Sequence, residues 1–121
     1  MDRRKFPRTT TRNFISFVTY YKNGRIESHR TGTAIDVSQG GILLETAEKL
    51  EANNISLIAT SAENKLIEIK AEVAYSKQID YRKFKNGIRL RGKHDENVQF
   101  AASLIRAYNL RKKSQDRQIF L

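Results

Sequence analysis

Ile67-Glu68-Ile69-Lys70-Ala71-Glu72-Val73-Ala74-Tyr75 carries the clearest period of two in the chain. Ile67, Ile69, Ala71, Val73 and Tyr75 fall on one side, with Glu68, Lys70 and Glu72 on the other. That alternation belongs to a strand with one buried and one wet face, as antiparallel sheets allow. Similar runs lie on both sides of it. Ile55, Leu57 and Ala59 alternate with Ser56, Ile58 and Thr60 just before. Ile88 and Leu90 alternate with Arg89 and Arg91 just after, and Asn86-Gly87 predicts the turn that introduces them.

Further toward the start, Asn13 to Tyr21 is rich in aromatic and β-branched side chains, a strand composition. Asn23-Gly24 predicts a type I′ hairpin turn, because that turn needs positive φ at both central residues. The returning strand spans about Arg25 to Ile35. It is polar, and Gly32 predicts a bulge or an exposed edge. Ile42, Leu43 and Leu44 form a short apolar strand, and Thr46 to Asn54 reads as a loop. After His94 the period changes. Val98, Ala101, Ile105 and Tyr108 recur at helical spacing with Ala102 and Leu104 alongside. Asp95 is the expected N-cap, and Arg111, Lys112 and Lys113 suit the last turn. The prediction is a mainly β fold: a small six-stranded antiparallel barrel over 13–91, then a helix over 95–115 that packs on the sheet. Residues 1–12, with few apolar side chains, form a basic arm. At 121 residues the chain suits one domain, 1–121, without staples.

The chain has no cysteine, which excludes disulfides and thiolate metal sites and fits a reducing compartment. Two histidines, His29 and His94, are too few for a histidine metal cage. No apolar run approaches the ~20 residues that span a bilayer, and no apolar segment follows the basic N-terminus as a secretory signal requires. The expectation is a soluble cytoplasmic protein. The formal net charge of +10 favours an anionic partner. Residues 1–12 and 106–121 each carry five cations against one acid, so the excess is concentrated at the two ends.

Two clusters bear on chemistry. Arg4-Lys5-Phe6-Pro7-Arg8 places two guanidinium groups four residues apart, and Pro7 extends the backbone between them. Arg8 and Arg12 repeat the spacing, and either pair alone reads equally as a solvated basic arm. Asp36-Val37-Ser38-Gln39-Gly40-Gly41 lies between two strands. Alone it reads as a β-turn in which Asp36 and Ser38 cap amides and the glycines supply positive φ. Together the clusters offer what a guanine nucleotide needs. Arg4 and Arg8 present planar forks to phosphate or to guanine O6/N7. Asp36 can accept from guanine N1–H and N2–H₂, the edge adenine lacks. Ser38 can donate to phosphate or fix the Asp36 rotamer, and Gly40 and Gly41 permit close backbone approach.

The chain resembles the PilZ domains, receptors for cyclic di-GMP. Their signature is an Arg-x-x-x-Arg arm followed by Asp/Asn-x-Ser-x-x-Gly, matched here by Arg4 and Arg8, then Asp36, Ser38 and Gly41, with Gly40 making a double glycine. Asn86-Gly87-Ile88-Arg89-Leu90 is similar to the family's closing strand. The resemblance covers about residues 3–91. It implies a split-barrel-type PilZ-like fold and a non-catalytic receptor that binds cyclic di-GMP without a cofactor. It also implies that Arg3, just before Arg4, goes with capture of a stacked ligand pair. The Thr9-Thr10-Thr11 run departs from the apolar residue common after the second arginine. The expected mechanism is a flexible arm that orders over the barrel mouth on binding and so alters recognition of a downstream protein.

Other readings compete. A basic β-barrel with aromatics on the Phe14–Tyr21 strand can bind nucleic acid, although core packing accounts for aromatics equally. A PilZ-like module without ligand would not need Arg4, Arg8, Asp36, Ser38 and Gly41 intact. An enzyme is disfavoured, since no nucleophile is paired with a placed base and no carboxylates have metal-ligand spacing.

Overall fold

The computed structural model describes residues 8–119. Six strands, β1 (Thr9–Tyr20), β2 (Ile26–Val37), β3 (Gly41–Thr46), β4 (Asn54–Thr60), β5 (Leu66–Asp80) and β6 (Lys83–Leu90), precede one helix, α1 (His94–Ile119). All pairings are antiparallel, and the strands close into a barrel in the order β1-β2-β3-β6-β5-β4, with β4 returning to β1. Closure leaves no long edge open to pairing with another chain.

The interior follows from period-two alternation. Ile15, Phe17, Leu44, Ile55, Leu57, Ile69 and Ile88 fill it, each at most 5% exposed. Two of the polar side chains of β1 that point inward are paired, as burial requires. Thr11 donates to the Ala34 carbonyl at 3.1 Å, and Asn13 to the Leu104 carbonyl of α1, also at 3.1 Å. Because Asn13 shares the inward face with Ile15 and Phe17, this bond places the helix over the barrel mouth. Phe100, Ala101 and Leu104 complete the same core. The helix therefore closes the interior instead of lying flat on an outer sheet face. Its buried stripe is Phe100, Ala101, Leu104 and Ala107. Val98, Ile105 and Tyr108 flank it half-buried, and Ala102 is exposed.

Several local expectations are corrected. β1 starts at Thr9, inside the stretch read as arm, because Thr9 and Thr10 pair with Val37 and Asp36 before an irregularity shifts the register. The helix begins at His94, not after Asp95. The Lys93 backbone N–H donates to Glu96 Oε1 at 2.8 Å, half of a capping box with Lys93 at the N-cap. The Asn23-Gly24 hairpin is present, but only Gly24 has positive φ (85°). Tyr21 N–H reaches the Arg25 carbonyl and Gly24 N–H the Tyr21 carbonyl, both at 2.9 Å. This is a three-residue loop with glycine in the left-handed position, in place of type I′. Gly32 makes no bulge. It faces Ile15, and a Cβ there would lie 2.8 Å from the Glu45 carbonyl oxygen.

Asn86-Gly87 is not a turn. It lies within β6, and the β5–β6 turn is at Tyr81 and Arg82, where Arg82 has φ 51°. Asn86 is fully buried and donates to the Leu44 carbonyl at 2.8 Å and to Thr46 Oγ1 at 3.0 Å, tying β6 to β3 by a side chain as well as by the ladder. Of the aromatics on β1, Phe17 is core, whereas Phe14 is 85% exposed and packs on nothing inside.

Candidate functional site

β2 ends at Val37 and β3 begins at Gly41, so Asp36 to Gly41 form the corner between two paired strands. Ser38 builds that corner. Its N–H donates to the Gly41 carbonyl at 2.9 Å, and its hydroxyl accepts from the Gly40 and Gly41 N–H groups at 3.3 and 3.2 Å. The hydroxyl is thus taken up by the turn and makes no contact with Asp36. The turn has the serine capping expected of it, but Gly41 is glycine for another reason than positive φ. A Cβ there would meet the Ile88 carbonyl oxygen at 2.5 Å, so the β3–β6 ladder can begin only with no side chain at this point.

Asp36 sits where the β2–β3 register slips, between Ala34 and Asp36, and is partly exposed on the outer barrel surface. Arg8, immediately before β1, reaches back across the Thr10–Asp36 pairing. Its Nη1 lies 3.6 Å from Asp36 Oδ2, with the side chains 44% and 20% exposed. Ion pairs this open contribute about 0–1 kcal/mol. A carboxylate or guanidinium offered a charge-assisted hydrogen bond of about 1.5–3 kcal/mol by a ligand would exchange partners.

The pair overlooks a cavity of about 360 Å³ lined by Arg8, Asp36, Ser38, Gly40 and Gly41, the described residues of the two motifs, on the outer face of β2, β3, β6 and β5. Pockets of roughly 300–1,000 Å³ are the usual size for small-molecule ligands. The cavity lies on the outer wall and not at the barrel end that α1 covers. Arg3 and Arg4 lie outside the described residues. Arg12 faces a different groove, and its carbonyl accepts from Arg111 at 2.8 Å, so of the Arg8/Arg12 pair only Arg8 meets the Asp36 corner.

Sequence reasoning missed the far wall. Tyr75, expected on the inward face, is 52% exposed. The register between β5 and β6 slips between Val73 and Tyr75, and the extra residue, Ala74, turns Tyr75 outward. The Tyr75 ring then lies on Gly87, opposite it in β6, where a Cβ would come within 2.2 Å of the ring. Arg89 stands beside it, held by Glu72 at 3.4 Å. The one available signal is the glycine of Asn86-Gly87, which suits a turn equally well. The cavity thus has a cationic lip, a carboxylate, a glycine-lined floor and one aromatic plane, features suited to an anionic, planar, hydrogen-bonding ligand.

No helix among the described residues is long and apolar enough to cross a membrane. Comparison with solved structures finds the same architecture. The PilZ domain with c-di-GMP of YcgR from Escherichia coli aligns with a TM-score of 0.60 at 19% identity, over 94% of this chain and 98% of that one. The Bacillus subtilis inhibitor of motility MotI/DgrA gives 0.62 at 20% identity, over 97% and 54%. The MrkH–c-di-GMP complex of K. pneumonia gives 0.58 at 18%, over 95% and 56%. The chain therefore spans about half the length of the MotI and MrkH chains, and at these identities the likeness concerns the fold. No curated protein matches the sequence. A family model described as PilZ domain matches residues 2–108. That match takes in the arm, every strand of the barrel and the buried stripe of the helix, and with it the chain belongs to the PilZ domain family.

Proposed function

We propose that this protein is a non-catalytic cytoplasmic receptor for cyclic di-GMP, with Arg3, Arg4 and Arg8 on the arm and Asp36, Ser38, Gly40 and Gly41 at the corner as its binding residues. The observation that carries this reading is the approach of Arg8 to Asp36 at 3.6 Å over one cavity, where the β1–β2 register brings the end of the arm beside the Asp36 corner. Two of the similar folds, the PilZ domain of YcgR and MrkH, are complexes with this ligand.

In the proposed mechanism the ligand opens the Arg8–Asp36 pair. Asp36 accepts from the guanine N1–H and N2–H₂ edge, and Arg8 turns its fork to a phosphate or to guanine O6/N7. Ser38 acts indirectly, by holding the Gly40 and Gly41 backbone in the corner. Tyr75 offers its exposed ring as a stacking plane. Calorimetric titration with cyclic di-GMP, with cyclic di-AMP as control, tests the assignment. Measurable heat with the first and none with the second is expected, and equal heats would remove the role given to Asp36.

Tyr75→Ala is expected to weaken binding by roughly fivefold, about 1 kcal/mol, at the low end of base–aromatic stacking because the ring is half open to water. Unchanged affinity in that variant would take Tyr75 out of the site. Ligand is also expected to slow amide exchange across residues 2–8, the segment bearing Arg3, Arg4 and Arg8, as the arm closes on the cavity and changes the surface shown to a downstream protein. Equal protection with and without ligand would end the arm-closure mechanism without bearing on binding itself.

A further inference from the structure

A second concavity, of about 770 Å³, lies further along the same outer surface. The two adjoin by strand geometry. Leu43 of β3 and Gly87 of β6 line the first, whereas Glu45 and Lys85, two residues along the same strands, line the second. Two residues of strand is a step of about 7 Å. The proposed receptor role uses none of this second groove.

Its composition is unusual for a surface at rest. Arg12, Lys83, Lys85, Arg111 and Lys112 surround it, with Glu45 as the one acid among the lining residues. Arg111 is committed to the Arg12 carbonyl and Asn13 Oδ1, and Lys83 approaches Glu45 at 3.9 Å. Among the described residues no ion pair engages Arg12, Lys85 or Lys112. Between these cations lie apolar side chains with no interior role. Phe14 is 85% exposed and Ile79 41% exposed, with half-buried Ile35 beside them. Ile79 is presented there by a second slip of the β5–β6 register, between Gln78 and Asp80. A large aromatic exposed there gains nothing from the fold, and the positive charge around it repels other copies of a basic chain. It is the anatomy of an interface core with a charged rim.

We infer that this groove docks an acidic segment of a partner protein, an extended or helical stretch whose apolar side chains cover Phe14 and Ile79 while its carboxylates meet Arg12, Lys85 and Lys112. Charge complementarity selects the occupant. A second copy of this chain, at net charge +10, is disfavoured. A nucleic acid fits less well, because the apolar centre is partly aliphatic, offering little to a base face, and because Glu45 would oppose a phosphate backbone while it can accept a peptide N–H. The inference does not rest on the nucleotide reading, since no residue of the groove is assigned to that site.

The test uses the full chain and a short labelled peptide of alternating Glu/Asp and Leu/Phe, with its Gln/Asn counterpart and an oligothymidylate as alternative probes. The acidic peptide is expected to bind and to shift amide resonances at Thr10–Phe14 and Lys83–Lys85. Lys85→Glu with Lys112→Glu is expected to weaken it by about tenfold or more, since it reverses two rim charges. Lys65→Glu with Lys93→Glu, an equal charge change outside the groove, is expected to leave it nearly unchanged. Phe14→Ala, at an exposed position that does not threaten folding, is expected to weaken it severalfold. Any of four results would overturn the proposal: no binding of the acidic peptide, equal losses in the two double variants, equal binding of the uncharged counterpart, or tighter binding of the oligothymidylate with loss in the groove variant. Loss of cyclic di-GMP binding alone would bear on the receptor reading and not on this one.

Discussion

Arg8→Ala is expected to bind cyclic di-GMP about one to two orders of magnitude more weakly than the unaltered protein, since a hydrogen bond to a charged group contributes about 1.5–3 kcal/mol. Little of that is recovered from the free protein. Among the described residues Arg8 is paired with Asp36, at 3.6 Å and with 44% of its side chain in water, so losing that pair costs the fold almost nothing. The loss should therefore appear in affinity, with the melting temperature unmoved. Asp36→Ala is expected to lose affinity on a similar scale and, unlike Arg8→Ala, to narrow the preference for cyclic di-GMP over cyclic di-AMP, because the carboxylate is the group that adenine leaves unpaired. Glu68 and Lys70, exposed on β5 away from the cavity, supply controls whose replacement should change neither quantity. Full affinity in Arg8→Ala would shift the cationic role to the other arginines. Parallel losses for both dinucleotides in Asp36→Ala would reduce that residue to a general electrostatic part.

Gly41→Ala is expected to damage fold and site together. The new methyl would sit 2.5 Å from the Ile88 carbonyl oxygen, and its neighbour is backbone at the start of the β3–β6 ladder, which cannot swing aside as a side chain would. Overpacking of this kind costs about 1–3 kcal/mol. Relief requires β3 to move away from β6, and the Gly41 N–H and carbonyl that hold Ser38 would move with it. Thermal melting should fall by several degrees, and cyclic di-GMP affinity should fall even at temperatures where the variant is folded. Gly87→Ala makes a useful contrast, because there the clash is with the Tyr75 ring, a side chain free to rotate into solvent. Its stability loss should be smaller while the ring's contribution to binding is lost. If Gly41→Ala melted like the unaltered protein, the tight β3–β6 approach would not be a constraint on the corner.

Residues whose role depends on their own chemistry and nearest neighbours were legible from the chain. Alternation in β4, β5 and β6, the aromatic and β-branched composition of β1, the Asn23-Gly24 hairpin before β2 and the short apolar run of β3 indicate six strands, and the change to helical spacing after His94 indicates the helix, in the right order. Asp36, Ser38 and Gly41 were legible as a corner for a similar reason: Ser38 caps amides two and three residues away, a local interaction. What misled was local chemistry overridden at a distance. Asn86-Gly87 has the composition of a turn, yet Asn86 is needed to bond Leu44 and Thr46 of another strand, and Gly87 yields its space to Tyr75. Tyr75 itself continues a perfect alternation and still faces outward. The slip of one residue at Ala74 depends on how β5 and β6 align, and the sequence of β5 alone does not record it.

By itself, then, the order of residues determined which segments become strands, that they pair antiparallel, where the helix falls, and that a basic arm and an acidic corner are available. Tertiary structure alone decided that Arg8 and not Arg12 meets Asp36, that the cavity opens on the outer wall, and that Tyr75 and Arg89 complete it. The division has a physical origin. Burial periodicity and turn capping act over a few residues, whereas barrel closure brings β1, β2, β5 and β6 together through registers and bulges set by the mutual packing of all six strands.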